Sequence, residues 1–141
     1  MLSVHLETPP RYDAWADAGP KETFLTNTSE TPQQVALAWL SLVDEGRASD
    51  SWADAASYFR GAVTEVQWTA SSTAVRRPLG CVVSREVQSE RLASELPGAP
   101  DGEYVVIQFA TSFERKRSAV ETVTPMRDTD GRWRVAGYFI R

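Results

Sequence analysis

The sequence predicts an α+β fold in which three N-terminal helices pack on a curved four-stranded antiparallel meander sheet. Residues 31–77 carry apolar side chains at the three- and four-residue spacing of amphipathic helices. From residue 80 onward, alternation and enrichment in Val and aromatic residues are typical of strands. A chain of 141 residues fits one domain with one hydrophobic core.

The chain divides into an irregular arm, residues 1–31, and a single α+β domain, residues 32–141. The arm scatters Tyr12, Trp15 and Phe24 among prolines, threonines and acids, with neither helical nor strand periodicity. These aromatic side chains imply that part of the arm packs on another surface.

Capping signals mark the first and third helices. The segments Thr31-Pro32-Gln33-Gln34 and Thr64-Glu65-Val66-Gln67 are capping boxes, the first with proline at the first helical position. Gly46 suits the end of the first helix, and Pro78 ends the third because it lacks an amide hydrogen. Between them a second helix is predicted from an apolar stripe that follows Ser49-Asp50: Trp52, Ala55, Ala56, Phe59 and Val63.

Short connections between the four strand segments predict antiparallel pairing of consecutive strands. The Asp130-Gly131 pair is a hairpin signal before the last strand. Both faces of the second strand are apolar, because Tyr104, Val106 and Ala110 lie opposite the Val105 side. We therefore expect self-association through the sheet face, or cover by the N-terminal arm. The predicted strands are residues 80–94, 103–114, 117–126 and 132–141.

The loop LPGAPDGEY, residues 96–104, joins the first two strands and is predicted to turn the chain. A phosphate-binding loop would need a lysine and a following helix, whereas Asp101 and Glu103 here would repel phosphate. Leu96-Pro97-Gly98-Ala99 matches a type II turn, and Ala99-Pro100-Asp101-Gly102 matches a type I turn.

Several catalytic and metal chemistries are disfavoured by composition. The only histidine, His5, lies in the arm, so a Ser-His-Asp or Cys-His pair within the domain is not expected. The single cysteine, Cys81, forbids an internal disulfide and a multi-cysteine zinc site, and we expect it to be a small buried apolar residue. We expect no cofactor and no metal.

Two charged residues interrupt apolar strand faces. Glu121 lies between Ala119 and Val123, and Arg85 lies between Val83 and Val87. If both faces point inward, the two charges can pair, because an isolated charge in an apolar layer is costly. The pair is then either structural or part of a functional site.

We expect a small noncatalytic binding or interaction module with an apolar pocket between helices and sheet. The alternative is a small isomerase or hydrolase-like enzyme with Glu121 as base and with Arg85 and Tyr138 orienting a substrate. A small apolar ligand is the expected occupant of the pocket. The pocket candidates are Trp39, Tyr58, Trp68, Arg85, Glu121 and Tyr138.

Charge and hydropathy exclude other classes of partner. The net charge of −4 offers no basic surplus for nucleic acid. The sequence shows neither a signal peptide nor an apolar run of about 18 residues that could span a bilayer. We therefore expect a cytoplasmic protein without membrane contact; a chain that had lost an export signal would look the same and would be periplasmic or secreted.

Several segments, in order and with their spacing, resemble the bacterial family catalogued as domain of unknown function 4019. They include RRPLGCVVSRE, LPGAPDGEYVVIQFATSF and GRWRVAGYFIR, and the similarity covers residues 34–141. The resemblance implies a cystatin-like fold similar to the nuclear-transport-factor and polyketide-cyclase superfamily, whose members often enclose a pocket and dimerise through the sheet. Family members are often exported. The family name carries no activity, so the resemblance transfers no catalytic residue.

Overall fold

The computed structural model describes residues 30–141. In it the helices come first and the strands follow, as the sequence predicts. All but two residues of the predicted arm lie outside this described range. A 3₁₀ turn, Arg77–Leu79, separates helices from sheet. The helices are α1 (Pro32–Asp44), α2 (Ala48–Ala53), α3 (Ser57–Ala62) and α4 (Glu65–Arg76), and the strands are β1 (Val82–Ala93), β2 (Tyr104–Phe113), β3 (Lys116–Arg127) and β4 (Trp133–Ile140).

The four strands form one antiparallel sheet in the order β1-β2-β3-β4, which confirms the predicted meander. Directly paired residues point to the same face of a sheet, so the register assigns each side chain to a face. We call the face that carries Val105, Ile107 and Phe109 the first face, and the face that carries Tyr104 and Val106 the second face. The helices cover the first face, where α1 contacts β3 and β4.

Both predicted capping boxes are present. At the start of α1 the Gln34 amide donates to Thr31 Oγ1 at 3.1 Å, and the Thr31 amide donates to Gln34 Oε1 at 2.9 Å. Thr64 and Gln67 repeat the arrangement at the start of α4. Each box satisfies two amides that the helix itself leaves without acceptors.

The second helix predicted from the stripe Trp52 to Val63 is wrong in extent, because the chain forms two short helices there, α2 and α3. The break lies at Ala56, whose backbone is extended and whose amide donates to Val135 O of β4 at 2.8 Å. Both Ala55 and Ala56 are fully buried. A hydrogen bond to a strand distant in sequence therefore replaces one that would have continued the helix.

The second face has a small apolar cluster of its own, to which the loop between β1 and β2 contributes. Tyr58 Oη of α3 donates to Gly98 O at 2.8 Å, and the Tyr104 hydroxyl donates to Pro100 O. Tyr104 and Val106 are buried, whereas Ala110 on the same face is exposed. The loop therefore covers one end of this face. The buried residues of the cluster are Ala56, Ala93, Leu96, Tyr104, Val106, Met126 and Ala136.

The predicted type II turn is present in this loop. The Ala99 amide donates to Leu96 O at 3.1 Å, and Gly98 has a φ of 78°. The next predicted turn closes differently, because the Gly102 amide donates to Ser94 O at 3.0 Å, across the base of the loop, and not to Ala99.

Replacing Gly98 with valine is expected to lower the free energy of unfolding by about 1–3 kcal/mol, because a β-branched residue is strained at positive φ. Gly61→Ala is the matched control, since Gly61 lies in α3 with open space around it and helix propensity favours alanine by up to about 1 kcal/mol. Urea denaturation measures both variants. Equal stability of Gly98→Val and the parent would show that the turn is not rigid.

Candidate functional site

The carboxylate of Glu121 is the most deeply buried charge that the structure describes, with 0% of the residue exposed. Arg85 Nε donates to Oε1 at 2.8 Å, and Arg85 Nη2 donates to Oε2 at 3.2 Å. Thr111 donates to Oε1 at 2.7 Å and Tyr138 to Oε2 at 2.5 Å. The sequence-predicted pair of Arg85 and Glu121 is therefore formed, and both carboxylate oxygens are occupied.

Arg85 also reaches the helices through Asp44 at the end of α1. Its Nη1 donates to Asp44 Oδ2 at 2.9 Å and its Nη2 to Asp44 Oδ1 at 3.1 Å. Arg76 at the end of α4 donates to the same Oδ1 at 2.7 Å. We call Glu121, Arg85, Asp44 and Arg76 the charged bridge. It has no net charge and joins α1, α4, β1 and β3.

Burial and pairing oppose each other in the titration of the charged bridge. Burial raises the pKa of Asp44, but hydrogen bonds and charge from Arg85 and Arg76 outweigh it, so the pKa lies below the ordinary 3.8. Burial raises the pKa of Tyr138 well above 10, and the neighbouring Glu121 charge raises it further. Tyr138 is thus held as a neutral hydroxyl that donates to the carboxylate.

The aromatic pocket candidates pack against one another beside this bridge. The Trp39 ring lies 5.4 Å from Tyr138 and 5.6 Å from Trp68, and Phe59 lies 5.1 Å from Trp68, measured between ring centroids. The indole nitrogens of Trp39 and Trp68 donate to Ser51, at 2.8 Å and 2.9 Å. These rings form the hydrophobic core on the first face.

Tyr58 packs against the margin of this core, and its hydroxyl is bound to Gly98 in the loop on the second face. Five of the six candidates named from the sequence therefore lie in the buried core or its ion pair, and Tyr58 borders that core. Their geometry is that of a filled core around a structural ion pair: a general base needs a free lone pair within reach of substrate, and those of Glu121 are engaged and out of contact with solvent.

A cleft of about 520 Å³ opens elsewhere, between the start of α1, the junction of α2 and α3, and the hairpin that joins β3 to β4. Its lining is dominated by charged and polar side chains and includes two tryptophans. Of the six pocket candidates named from the sequence, only Trp39 lines this cleft, and otherwise the sequence predicted only a hairpin here. The lining residues are Glu30, Val35, Ala38, Trp39, Ala53, Asp54, Ser57, Arg60, Asp128, Thr129, Asp130, Arg132, Trp133 and Arg134.

Asp128 holds the two sides of this cleft together. Its Oδ2 accepts from the Ser57 amide at 3.1 Å and from Arg134 Nη1 at 3.3 Å, and its Oδ1 accepts from the Thr129 amide at 2.9 Å. Burial raises the pKa of Asp128, but these hydrogen bonds and the charge of Arg134 lower it below the ordinary value. Arg134 also pairs with both oxygens of Asp130, at 2.8 Å and 2.9 Å.

The expectation that Cys81 is buried is wrong. Cys81 is exposed just before β1, where its amide donates to Glu114 Oε1 at 2.9 Å and its carbonyl accepts from the Glu114 amide. Its backbone thus closes the end of the β1–β2 pair while its thiol faces solvent. Within residues 30–141, no three His, Cys, Asp or Glu side chains are grouped to hold a metal ion.

Asp44→Asn is expected to lower the free energy of unfolding at pH 7 by about 1.5–3 kcal/mol, the value of hydrogen bonds to charged groups. Because the folded-state pKa of Asp44 is depressed, its contribution is complete above pH 3.8 and is lost as pH falls through that lower pKa. Urea titrations from pH 7 to 2 should therefore show that the free energy of unfolding falls less steeply with decreasing pH in the variant than in the parent. The control Asp50→Asn, whose carboxylate pairs with exposed Arg47, should cost less than about 1 kcal/mol. Parallel pH curves for Asp44→Asn and the parent would contradict this.

None of the helices in the described range has the length and apolar character needed to cross a bilayer. A search of curated proteins finds no match to the chain. One family model, described as a protein of unknown function (DUF4019), matches residues 35–138, well over half of the sequence. The chain therefore belongs to the DUF4019 family, as its sequence segments predict.

Proposed function

We propose that the chain is a noncatalytic binding domain whose ligand occupies the polar cleft beside the β3–β4 hairpin. The observation that carries this proposal is the contrast between two sets of ionisable groups. The buried carboxylates under the helices, those of Glu121 and Asp44, are paired with arginines, whereas several ionisable groups of the cleft lining are exposed and make no such contacts. Exposed charged side chains without partners can bind a ligand of complementary charge, so they favour a binding function over acid or base catalysis.

The alternative, an isomerase or hydrolase-like enzyme based on Glu121, has less support. Its base would have to release Arg85, Thr111 and Tyr138 before accepting a proton from a substrate. Breaking a buried pair of this kind costs about 3–5 kcal/mol. The cleft includes none of Glu121, Arg85 and Tyr138.

The uncommitted charges of the cleft have both signs. Asp54 and Arg132 are exposed, and neither side chain bonds to another residue in the described part of the chain. Arg60 uses only its Nε, which donates to Ala55 O at 3.1 Å. The half-buried Trp133 ring lines the same cleft and is stacked by the Arg127 guanidinium, whose central carbon lies 4.7 Å from the ring centroid.

A ligand with both a positive and a negative group matches these charges, and a short peptide or amino acid is the simplest one. Two residues of the cleft lining, Asp128 and Arg134, are each held by several hydrogen bonds, which favours a preorganised site. A preorganised site loses less entropy on binding. The small apolar ligand expected from the sequence is less well supported, because charged side chains dominate the lining.

Self-association and membership of the nuclear-transport-factor-like or cystatin-like superfamily stay predictions. The central second-face residues Val106, Thr122 and Thr124 are already buried in a single chain. A second copy packed on this face would therefore gain little apolar area there.

A library of amino acids and zwitterionic dipeptides, screened by nuclear magnetic resonance on the full chain, tests the proposal. Ligands are expected to shift the Trp133 indole resonance and amides of residues 128–134. Arg132→Ala and Asp54→Ala should each weaken binding by about tenfold to 100-fold, because one charge-assisted contact contributes about 1.5–3 kcal/mol and about 1.4 kcal/mol is a factor of ten.

Arg117→Ala is the control, since Arg117 lies on β3 next to the β2–β3 turn and outside the cleft lining. It should leave affinity unchanged. If the variants at residues 54 and 132 bind as the parent does, or if shifts cluster away from the cleft, the proposed site is wrong.

A further inference from the structure

Strand β1 exposes more large apolar side chains than any other described element. Five such residues are exposed within residues 30–141, and three lie on β1: Val83 (67%), Val87 (39%) and Leu92 (37%). β1 is also an edge strand, and no described residue pairs with its outer side. At the opposite edge, β4 is contacted by the Ala56 amide. Unpaired apolar edges are sites where another strand can add.

Two register shifts limit the usable part of this edge. They lie between Val82 and Ser84 and between Val87 and Ser89. From Ser89 to Ala93 the register with β2 is unbroken. Within this stretch Glu90 is opposite Ile107 and Leu92 is opposite Val105, so both side chains lie on the first face.

The charge that this stretch carries on the first face is negative, because Arg91 is opposite Val106 on the second face. Glu90 is half-buried, and its carboxylate bonds to no other residue of the described chain. The nearest first-face cation on the strand, Arg85, is committed to Asp44 and Glu121. A half-buried carboxylate without a counter-charge is energetically unfavourable and favours a cationic neighbour.

Helix α1 lies on the same face of the sheet. Asp44 of α1 is bound by Arg85 of β1, and Leu37 lies seven residues, two helical turns, before Asp44 on the same flank. Leu37 is 38% exposed. The edge segment Ser89–Ala93 therefore has an apolar side chain of α1 on the same side of the sheet.

We propose that Ser89–Ala93 is a docking edge that takes an extended peptide segment of another protein by strand addition. The segment carries an apolar residue opposite Leu92 and a lysine or arginine opposite Glu90. These two positions are separated by one residue, because side chains two apart share a face. The docking edge is separate from the polar cleft and goes beyond the binding function proposed for it.

A second copy of β1 fits this edge poorly. Antiparallel pairing of two identical strands within the unbroken stretch would place Glu90 opposite either Glu90 or Leu92 of the other chain. The first pairs like charges and the second pairs a charge with an apolar side chain, and both are unfavourable. The bulges also interrupt any longer pairing.

Two amidated, acetylated peptides, TTVTKTT and TTVTETT, test the proposal with the full chain. Their valine and their charged residue share one face. In titrations followed by nuclear magnetic resonance, both peptides are expected to shift the amide resonances of residues 89–93. The lysine peptide should bind about threefold to tenfold more tightly, because lysine forms an attractive cross-strand pair with Glu90 and glutamate forms a repulsive one. Glu90→Gln should remove most of this preference.

Glu86→Gln is the matched control, because Glu86 lies on the same strand but opposite Ala110, on the second face. It should keep the preference, and thermal unfolding verifies that both variants fold. Equal affinities of the two peptides, absence of binding at millimolar peptide, or shifts confined to the cleft would overturn the proposal. Sedimentation showing a dimer that the lysine peptide fails to dissociate would assign the edge to a second copy instead.

Discussion

The carboxylate of Glu121 is buried beneath the helices, and the cost of removing its charge from water is offset by an ion pair with Arg85. The helices depend on the same guanidinium, because Arg85 also binds Asp44 at the end of α1 and Asp44 binds Arg76 at the end of α4. The charged bridge thus fixes where two helix ends lie on the sheet. A buried pair adds little net stability against an apolar alternative, but it penalises arrangements that leave one charge unpaired.

The space next to the charged bridge is filled by aromatic rings, and this has a consequence for function. Trp39, Trp68 and Tyr138 contact one another at centroid distances of 5.4–6.4 Å. The side chains that resembled a pocket lining in the sequence are thus core residues, and two of their polar atoms are bound to Ser51. Charged side chains that bond to no other described residue lie at the surface instead, in the cleft beside the β3–β4 hairpin and along the outer edge of β1.

Features encoded locally could be predicted from the sequence. Thr31 and Thr64 cap the helices that follow them, and Asp130-Gly131 lies in the turn between β3 and β4. Strand alternation indicated that Arg85 and Glu121 could pair if both faced inward, and they do. The rest depends on distant contacts. The break at Ala56 arises from a bond to Val135, the cleft arises from Ser57 meeting Asp128 across 71 positions, and no periodicity signals that Asp44 joins the ion pair.

A double-mutant cycle with Arg85→Met and Glu121→Gln, followed by urea unfolding at pH 7, tests most directly whether this ion pair is structural. Each single variant leaves a partner unsatisfied, so each should lose about 3–5 kcal/mol, while the double variant should lose much less than their sum. A coupling energy of at least about 2 kcal/mol is expected for groups in direct contact. Losses that add to within about 0.5 kcal/mol would show that the two side chains act independently and would contradict the role assigned to them.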